Sequence, residues 1–274
     1  MRIDAHQHFW APARGDYGWM HASEALAPLR RDVLPADLAP HLKAADIDAT
    51  VVVQAAPTVF ETEYMLGLAD ATPWIAKVVG WVDFESRSDL RHLERFARHG
   101  KFAGLRPMIQ DIPDVNWMHR PDVQWGFEAV VDLDLSFDAL GLPVHLDAFR
   151  TLFDRYPAMR CVVDHAMKPE IRAGRFDDWA HGIEIIARQT PAFCKLSGLA
   201  AEAGAGWSDA TLKPYVDHVL SAFGAERVMW GSDWPVLELA GTYANWHAAA
   251  TRLVGPRAAA QVFGATARTF YRIP

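Results

Sequence analysis

Ile3-Asp4-Ala5-His6-Gln7-His8-Phe9 opens the chain with alternating apolar and polar residues, the pattern of a β-strand. Side chains two residues apart on a strand point the same way, so His6 and His8 are expected side by side. Two neutral imidazoles on one strand end can hold a metal ion, or they can polarise a carbonyl and move protons. A histidine pair packed into a strand end without a function is the alternative interpretation.

The last strand-like stretch of the chain helps to decide whether the histidine pair has a function. It is Val228-Met229-Trp230-Gly231-Ser232-Asp233-Trp234-Pro235. An apolar run leads to Gly231, then to an aspartate, and then to a proline that ends the strand. Strand-like and helix-like segments alternate between the two ends of the chain. If the sheet closes on itself, the first and last strands become neighbours, and Asp233 lies beside His6 and His8.

Eight strand-like segments, most of them followed by a helical pattern, predict a parallel (β/α)8 TIM barrel of the α/β class. The 274 residues of the chain fit this fold, which commonly takes about 250 residues as one domain. No linker or shift in composition divides the chain, so residues 1–274 are predicted to form a single, distorted barrel domain. Two long connections, 10–34 and 110–121, interrupt the alternation, and their roles stay open.

Composition narrows the classes of partner. The formal net charge of -7 argues against nucleic acid or an anionic membrane as a partner. The two cysteines, Cys161 and Cys194, lie in apolar runs and are predicted to be core residues. Neither an apolar leader nor an apolar run of about 18 residues is present, so a cytoplasmic enzyme is expected. A homo-oligomeric state is left open.

Polar or ionisable residues lie at the carboxyl ends of all eight predicted strands. The active site of a barrel of this type lies at these ends. The residues are His6 and His8, Gln54, Asp83, Arg106, Asp138, His165, Lys195 with Ser197, and Asp233. Solvated strand ends without a ligand are the alternative, although a purely structural barrel would place most of its charge on helix surfaces. Asp164 directly precedes His165 and is therefore expected to face away from it.

Five motifs, in this order along nearly the whole chain, resemble the amidohydrolase superfamily. They are Asp4-Ala5-His6-Gln7-His8-Phe9-Trp10, Gly104-Leu105-Arg106-Pro107, Val163-Asp164-His165-Ala166-Met167-Lys168-Pro169, Cys194-Lys195-Leu196-Ser197-Gly198 and Trp230-Gly231-Ser232-Asp233-Trp234-Pro235. The chain is most similar to the amidohydrolase 2 branch, which contains sugar-lactone hydrolases such as L-fuconolactonase and L-rhamnonolactonase, together with 2-pyrone-4,6-dicarboxylate lactonase. The resemblance implies a (β/α)8 barrel that hydrolyses carboxylic ester bonds.

The resemblance also bears on metal binding. The superfamily's bridging lysine or glutamate on the fourth strand has no counterpart here, and Phe137-Asp138 stands where a fifth-strand histidine is usual. A binuclear centre is therefore not expected. A mononuclear zinc site would use His6, His8 and Asp233 with a water. Because the resembling lactonases include enzymes that work without metal, we expect no cofactor, with one Zn2+ as the alternative.

Lactone hydrolysis needs a base for water, electrophilic help at the carbonyl, and a proton for the leaving ring oxygen. We assign the base role to Asp233, and we expect His6, His8 and His165 to polarise the carbonyl and hold the oxyanion. Substrate binding is assigned to polar strand ends and to tryptophans that can stack on a sugar ring. These residues are Gln54, Asp83, Arg106, Asp138, Lys195, Trp10 and Trp117.

A dicarboxylate substrate would require several arginines, whereas Arg106 is the only guanidinium at a predicted strand end. The pattern therefore favours a neutral sugar lactone, with L-fuconolactone as the first choice. The alternatives are a zinc-dependent amidohydrolase, deaminase or decarboxylase, a lactonase for a dicarboxylate pyrone, and a sugar-binding barrel without catalysis. Which sugar lactone is taken, and with which ring size, stays open.

Overall fold

The computed structural model describes residues 1–274 as eight parallel strands ordered β1 to β8 in one sheet. The strands are β1 (Ile3–Gln7), β2 (Ala49–Val53), β3 (Ile75–Gly80), β4 (Phe102–Leu105), β5 (Ser136–Ala139), β6 (Arg160–Val163), β7 (Phe193–Leu196) and β8 (Val228–Trp230). Each strand pairs with the next along the chain. The predicted (β/α)8 barrel is confirmed.

Helices follow the strands and cover the outside of the sheet. They are α1 (Pro35–Ala44), α2 (Val59–Ala71), α3 (Leu90–Ala97), α4 (Gln124–Asp132), α5 (Leu146–Arg155), α6 (Asp177–Gln189), α7 (Leu199–Ala203), α8 (Asp209–Phe223), α9 (Tyr243–Ala260, interrupted at Gly255) and α10 (Thr266–Phe270). The helix α7 is the shortest of these together with α10, at five residues each. No helix combines the length and the apolar character needed to cross a bilayer.

The two ends of the chain close the barrel. The backbone amide of Asp233 donates to the carbonyl of His6 over 2.8 Å, and the amide of His8 donates to the carbonyl of Trp234 over 2.8 Å. An isolated parallel bridge joins Gln7 to Trp234 at the same place. The first and last strands are therefore neighbours, as the sequence predicts.

Two apolar clusters fill the molecule. The larger one, of 72 buried residues, lies mostly between sheet and helices. The smaller one combines strand residues such as Ile3, Ala49 and Val51 with Phe270 and Tyr271 from the end of the chain. Because Ile3 and Ala49 begin their strands, the carboxyl-terminal segment closes the barrel at the amino ends of the strands. The opposite end remains available for a site.

The connection 10–34 is ordered by three 3-10 turns at Pro12–Arg14, Gly18–His21 and Glu24–Leu29. The indole of Trp10 donates to the carbonyls of Leu29 and Arg31, each over 3.1 Å. The indole of Trp19 donates to the carbonyl of Ala55 over 2.7 Å. These bonds fold the segment back as a cap over the carboxyl ends of the strands.

Candidate active site

Three imidazoles and one carboxylate converge where the barrel closes. Oδ1 of Asp233 lies 3.4 Å from Nε2 of His8, 3.8 Å from Nε2 of His6 and 3.9 Å from Nε2 of His165. The Nε2 atoms of His6 and His8 are 3.3 Å apart. The four residues expected from the sequence to be catalytic thus form one cluster, and all four are buried.

Asp4 and a bulge in β1 position the histidine pair. The register with β2 shifts between Asp4 and Gln7, so His6 leaves the simple alternation of the strand. The carboxylate of Asp4 accepts from the amides of His6 and Ser232, over 3.2 and 2.8 Å, and from the hydroxyl of Tyr243 over 3.0 Å. Asp4 therefore holds the first strand and the Asp233 segment together.

Gly231 permits the close approach of the two strands. A Cβ atom at this position would lie 2.6 Å from the Cβ of His6 and 3.2 Å from that of Ser197. Any larger residue would push the last strand away from the histidine pair. This glycine is thus a packing requirement of the site.

His165 reaches the cluster through an unusual turn. His165, Ala166, Met167 and Lys168 all have positive φ angles, between 47° and 60°. Nδ1 of His165 lies 2.9 Å from Oγ of Ser197, which directs Nε2 toward Asp233. Because the chain turns left-handed at this point, His165 and Asp164 both lie at the site. The expectation that Asp164 faces away from His165 is wrong.

Burial sets the charge state of the cluster. Burial lowers the pKa of His165 to about 4, although the carboxylates of Asp233 and Asp164 oppose the shift. Burial likewise lowers the pKa of His6 and of His8. Burial acts to raise the pKa of Asp233, but the adjacent imidazoles and the hydrogen bond from His8 outweigh it, so this pKa lies below its usual value. Neutral imidazoles around a carboxylate are the form that binds a metal ion or accepts a proton.

A buried ionic network lies directly beneath His6. Nζ of Lys195 is 2.6 Å from Oδ2 of Asp138, 3.0 Å from Oδ1 of Asp164 and 3.0 Å from Nδ1 of His6. Nη1 of Arg106 is 3.3 Å from Oδ2 of Asp164 and 3.4 Å from Nε2 of His6. Two cations and two anions therefore balance, which buried charges require.

A cavity of about 310 Å3 opens above the cluster. Five of the residues predicted for the site line it, namely His8, Trp10, Arg106, His165 and Asp233. The remaining wall is formed largely by the cap and by the segments after β4 and β6. These residues are Trp19, Ala22, Leu26, Ala55, Met108, Gln110, Asp111, Leu140, Lys168 and Val236.

Five of the residues predicted to bind substrate lie outside the cavity wall, and three of them are buried beneath it. Gln54, Asp138 and Lys195 are fully buried and engaged with protein groups. Nε2 of Gln54, for example, donates to the carbonyl of Arg106 over 2.5 Å. Their side chains point into the barrel below the site rather than out of it. We therefore revise their proposed role from substrate contact to positioning.

Asp83 and Trp117 lie in a neighbouring cavity of about 560 Å3. The indole of Trp117 donates to Glu85 over 2.9 Å, and the carboxylate of Asp83 accepts from the amide of Glu85 over 2.8 Å. Both side chains thus organise the turn after β3. Neither lines the cavity above Asp233.

Sequence reasoning did not assign roles to several site residues. Gln110, Asp111 and Lys168 line the cavity, but they lie in irregular segments where no periodicity indicates which side chains turn inward. Asp4 and Asp164 stand in the motifs that resemble the superfamily, and their position beside histidines was the available signal. Tyr271 had no local signal, because its partner Asp138 is 133 residues away.

Comparison with known proteins agrees with this geometry. The sequence profile of the Amidohydro_2 family, described as amidohydrolase, matches residues 3–273. The chain belongs to this family. It is 43% identical to an L-fucono-1,5-lactonase of Burkholderia ambifaria, over 99% of this chain and 96% of that protein. It is 34% identical to an L-fucono-1,5-lactonase of Burkholderia multivorans, over 100% of this chain and 97% of that one.

A crystal structure of an amidohydrolase from Burkholderia multivorans with bound zinc corrects our expectation about the cofactor. It shares 32% identity with this amidohydrolase chain and superimposes with a TM-score of 0.93, each chain being covered fully. Ligand atoms of His6, His165 and Asp233 lie within 4.8 Å of one another here and offer a metal site. The expectation of a site without a cofactor is wrong. The expectation rested on the missing fifth-strand histidine, whereas His165, after the sixth strand, brings a ring nitrogen close to His6 and Asp233.

The donor atoms of this amidohydrolase fit a zinc ion. Nδ1 of His8 donates to the carbonyl of Val53 over 2.7 Å, which leaves its Nε2 with a free lone pair facing Nε2 of His6. Oδ1 of Asp164 lies 3.0 Å from Nζ of Lys195 and 3.6 Å from Nδ1 of His6, so Asp164 and Lys195 together contact the side of the His6 ring that faces away from Asp233, where they can help to orient it. These donor atoms are separated by 3.3–3.9 Å. Two neighbouring ligand atoms of a tetrahedral zinc site are about 3.3 Å apart, which is close to these separations.

Proposed function

We propose that this amidohydrolase hydrolyses a neutral sugar lactone, with L-fuconolactone as the first choice, to the corresponding sugar acid. The observation that carries the proposal is the cluster of the Asp233 carboxylate with three imidazoles, 3.4–3.9 Å away, at the floor of a cavity of about 310 Å3. Such a floor combines a base with electrophilic groups, which ester hydrolysis requires. The two curated lactonases at 43% and 34% identity support the same chemistry.

We propose that His6, His165 and Asp233 hold one zinc ion, with His8 beside them. A zinc ion at such a site polarises a carbonyl and makes a bound water more acidic. The set differs from our alternative of His6, His8 and Asp233 in that His165 replaces His8. The zinc-bound amidohydrolase of Burkholderia multivorans, at 32% identity, supports zinc as the metal.

Asp233 takes a proton from the attacking water and later returns it to the ring oxygen of the opened lactone. General base catalysis of this kind contributes about 10²–10⁴-fold to a rate. Arg106 lines the cavity, so we assign its guanidinium to an oxygen of the substrate. Gln110 also lines the cavity, and we assign its side-chain amide to a sugar hydroxyl.

The cavity favours a neutral lactone over a dicarboxylate. Arg106 and Lys168 are its only permanent cations, and Asp111 and Asp233 oppose them. Two carboxylates on one substrate would require a surplus of positive charge. Trp10 and Trp19 form an aromatic wall suited to the C–H face of a sugar ring.

A lactone panel tests the proposal. Sugar lactones of five and six ring atoms and 2-pyrone-4,6-dicarboxylate are assayed with a pH indicator, before and after chelation and zinc replacement. We expect turnover of a sugar lactone, its loss on chelation and its return with zinc. Asp233→Asn should lower kcat at least about a hundredfold, while the surface variant Asp217→Asn retains full activity.

Turnover of the pyrone dicarboxylate alone would reject the sugar lactone. Decarboxylation of an aromatic acid without lactone turnover would favour the decarboxylase alternative. Saturable binding of lactones without hydrolysis would favour the sugar-binding barrel.

A further inference from the structure

Tyr271, three residues before the last residue of the chain, reaches into the barrel from the end opposite the cavity. It follows α10 and is only 1% exposed, among strand residues such as Ile3, Val51 and Met229. Its hydroxyl donates to Oδ2 of Asp138 over 2.7 Å. A phenylalanine ring would fill the same space. The hydroxyl of Tyr271 therefore serves its hydrogen bond to Asp138 and not the packing.

Asp138 connects this hydroxyl to the active site. Its Oδ2 also accepts from Nζ of Lys195, and that ammonium faces both Asp164 and Nδ1 of His6 at 3.0 Å. The ammonium further lies 5.6 Å from the centroid of the Tyr271 ring. Tyr271 thus contacts Asp138 through its hydroxyl and Lys195 through its ring face.

Few other groups hold Asp138 in place. Its Oδ1 meets only the hydroxyl of Ser136, at 3.4 Å. Without the Tyr271 hydroxyl, Oδ2 would be held by the Lys195 ammonium alone. The Asp138 carboxylate and the Lys195 ammonium would then be free to turn together, away from Asp164 and His6.

We propose that Tyr271 is a positioning residue for the metal site: its hydroxyl fixes Asp138, which directs Lys195 toward Asp164 and His6. The proposal rests on the proposed zinc-dependent function. The carboxyl-terminal segment then supports the active site, although the Tyr271 side chain does not line the cavity. Groups that orient metal ligands typically change metal affinity or activity by about 10–100-fold.

Tyr271→Phe removes the hydroxyl and keeps the ring. We expect its zinc affinity, measured by competition with a chromophoric chelator, to fall about tenfold, the lower end of that range because Tyr271 acts through two other residues. The kcat for a lactone should fall with KM unchanged, since substrate contacts are untouched. Tyr156→Phe is the matched control: it also loses a phenol hydrogen bond, to Gln124 over 2.9 Å, and should retain wild-type zinc affinity.

Asp138→Asn supplies a second measurement, because the amide removes the charge that holds Lys195. It should lower zinc affinity by itself, and adding Tyr271→Phe should then change little further, as residues acting in series are not additive. Wild-type zinc affinity in Tyr271→Phe, or fully additive losses in the double variant, would overturn the proposal. Zinc binding is measured without substrate, so a wild-type protein that binds zinc but lacks lactonase activity would reject the proposed function separately.

Discussion

Single residues at this site adopt backbone conformations that cost free energy. His165 begins four consecutive non-glycine residues with positive φ, and Asp233 has a φ of 57°. Left-handed conformations cost L-residues about 1–2 kcal/mol each. Local bonds hold the turn: the carbonyl of Ala166 accepts from the indole of Trp179 over 2.7 Å, and the amide of Lys168 donates to the carbonyl of His165 over 2.8 Å. The strain places the His165 imidazole at Asp233.

Ala166→Gly should relieve part of this strain. Glycine adopts positive φ without a steric penalty, so we expect the free energy of unfolding to rise by up to about 1 kcal/mol in denaturant titrations. The kcat should fall, because a looser turn no longer holds His165 in one place. Asp46→Gly is the control: Asp46 has a φ of 53° at an exposed position after α1, so stability should rise without a change in activity. A less stable Ala166→Gly protein with full activity would contradict this explanation.

At the scale of elements, the junction between β2 and α2 supports the cavity wall. Thr58 caps α2 by accepting from the amide of Glu61 over 3.0 Å. The buried carboxyl of Glu61 in turn accepts from the amides of Ala55 and Ala56, over 3.0 and 2.7 Å. Ala55 lines the cavity, and its carbonyl accepts from Trp19 of the cap. Glu61 therefore connects α2 with the cap through the backbone of one short loop.

Burial raises the pKa of Glu61 to about 8, although the two amide bonds oppose the shift. A carboxyl whose pKa is raised on folding binds its proton more tightly in the native state. Its contribution to stability is thus complete below about pH 4.5 and is lost as the pH rises toward 8. Thermal unfolding between pH 5 and 9 should show wild-type stability falling relative to that of Glu61→Gln, which cannot ionise. Parallel curves for the two proteins would contradict the raised pKa.

For the whole molecule, the proposed zinc site joins the two ends of the chain. His6 lies on the first strand, His165 follows the sixth, and Asp233 follows the eighth. An ion held by all three binds only the closed barrel, because 227 positions separate His6 from Asp233 along the unfolded chain. Metal binding should therefore stabilise the entire fold rather than one loop.

Zinc at about a hundred times its Kd should stabilise the native state by about 2.7 kcal/mol. For a barrel of this size, such a gain raises the Tm by about 5–10 °C. Calorimetry of the chelated protein with and without added zinc measures the shift. Magnesium, which prefers oxygen ligands, should have little effect, and Asp233→Asn should reduce the zinc shift. A Tm that does not respond to zinc would contradict the proposed ligand set.

Periodicity and strand-end polarity were sufficient to predict the barrel and its principal site residues. In a parallel barrel the carboxyl ends of all strands meet at one face, so a local pattern repeated eight times predicts a long-range arrangement. His6, His8, His165 and Asp233 were predicted this way and lie within one cluster. The cofactor was predicted wrongly, because a missing histidine on one strand says nothing about which other side chain takes its place.

The order of the strands was enough to predict that His6 and Asp233 meet, since closing an eight-stranded barrel leaves the two terminal strands no other neighbours. Which polar side chains face the cavity and which lie beneath it became clear only from the folded arrangement. Gln54, Asp138 and Lys195 were taken for substrate contacts, yet they are buried with protein partners. The bulge in β1, the left-handed turn after Asp164 and the contact from Tyr271 set these orientations. Each depends on groups distant in sequence, whose packing no local pattern encodes.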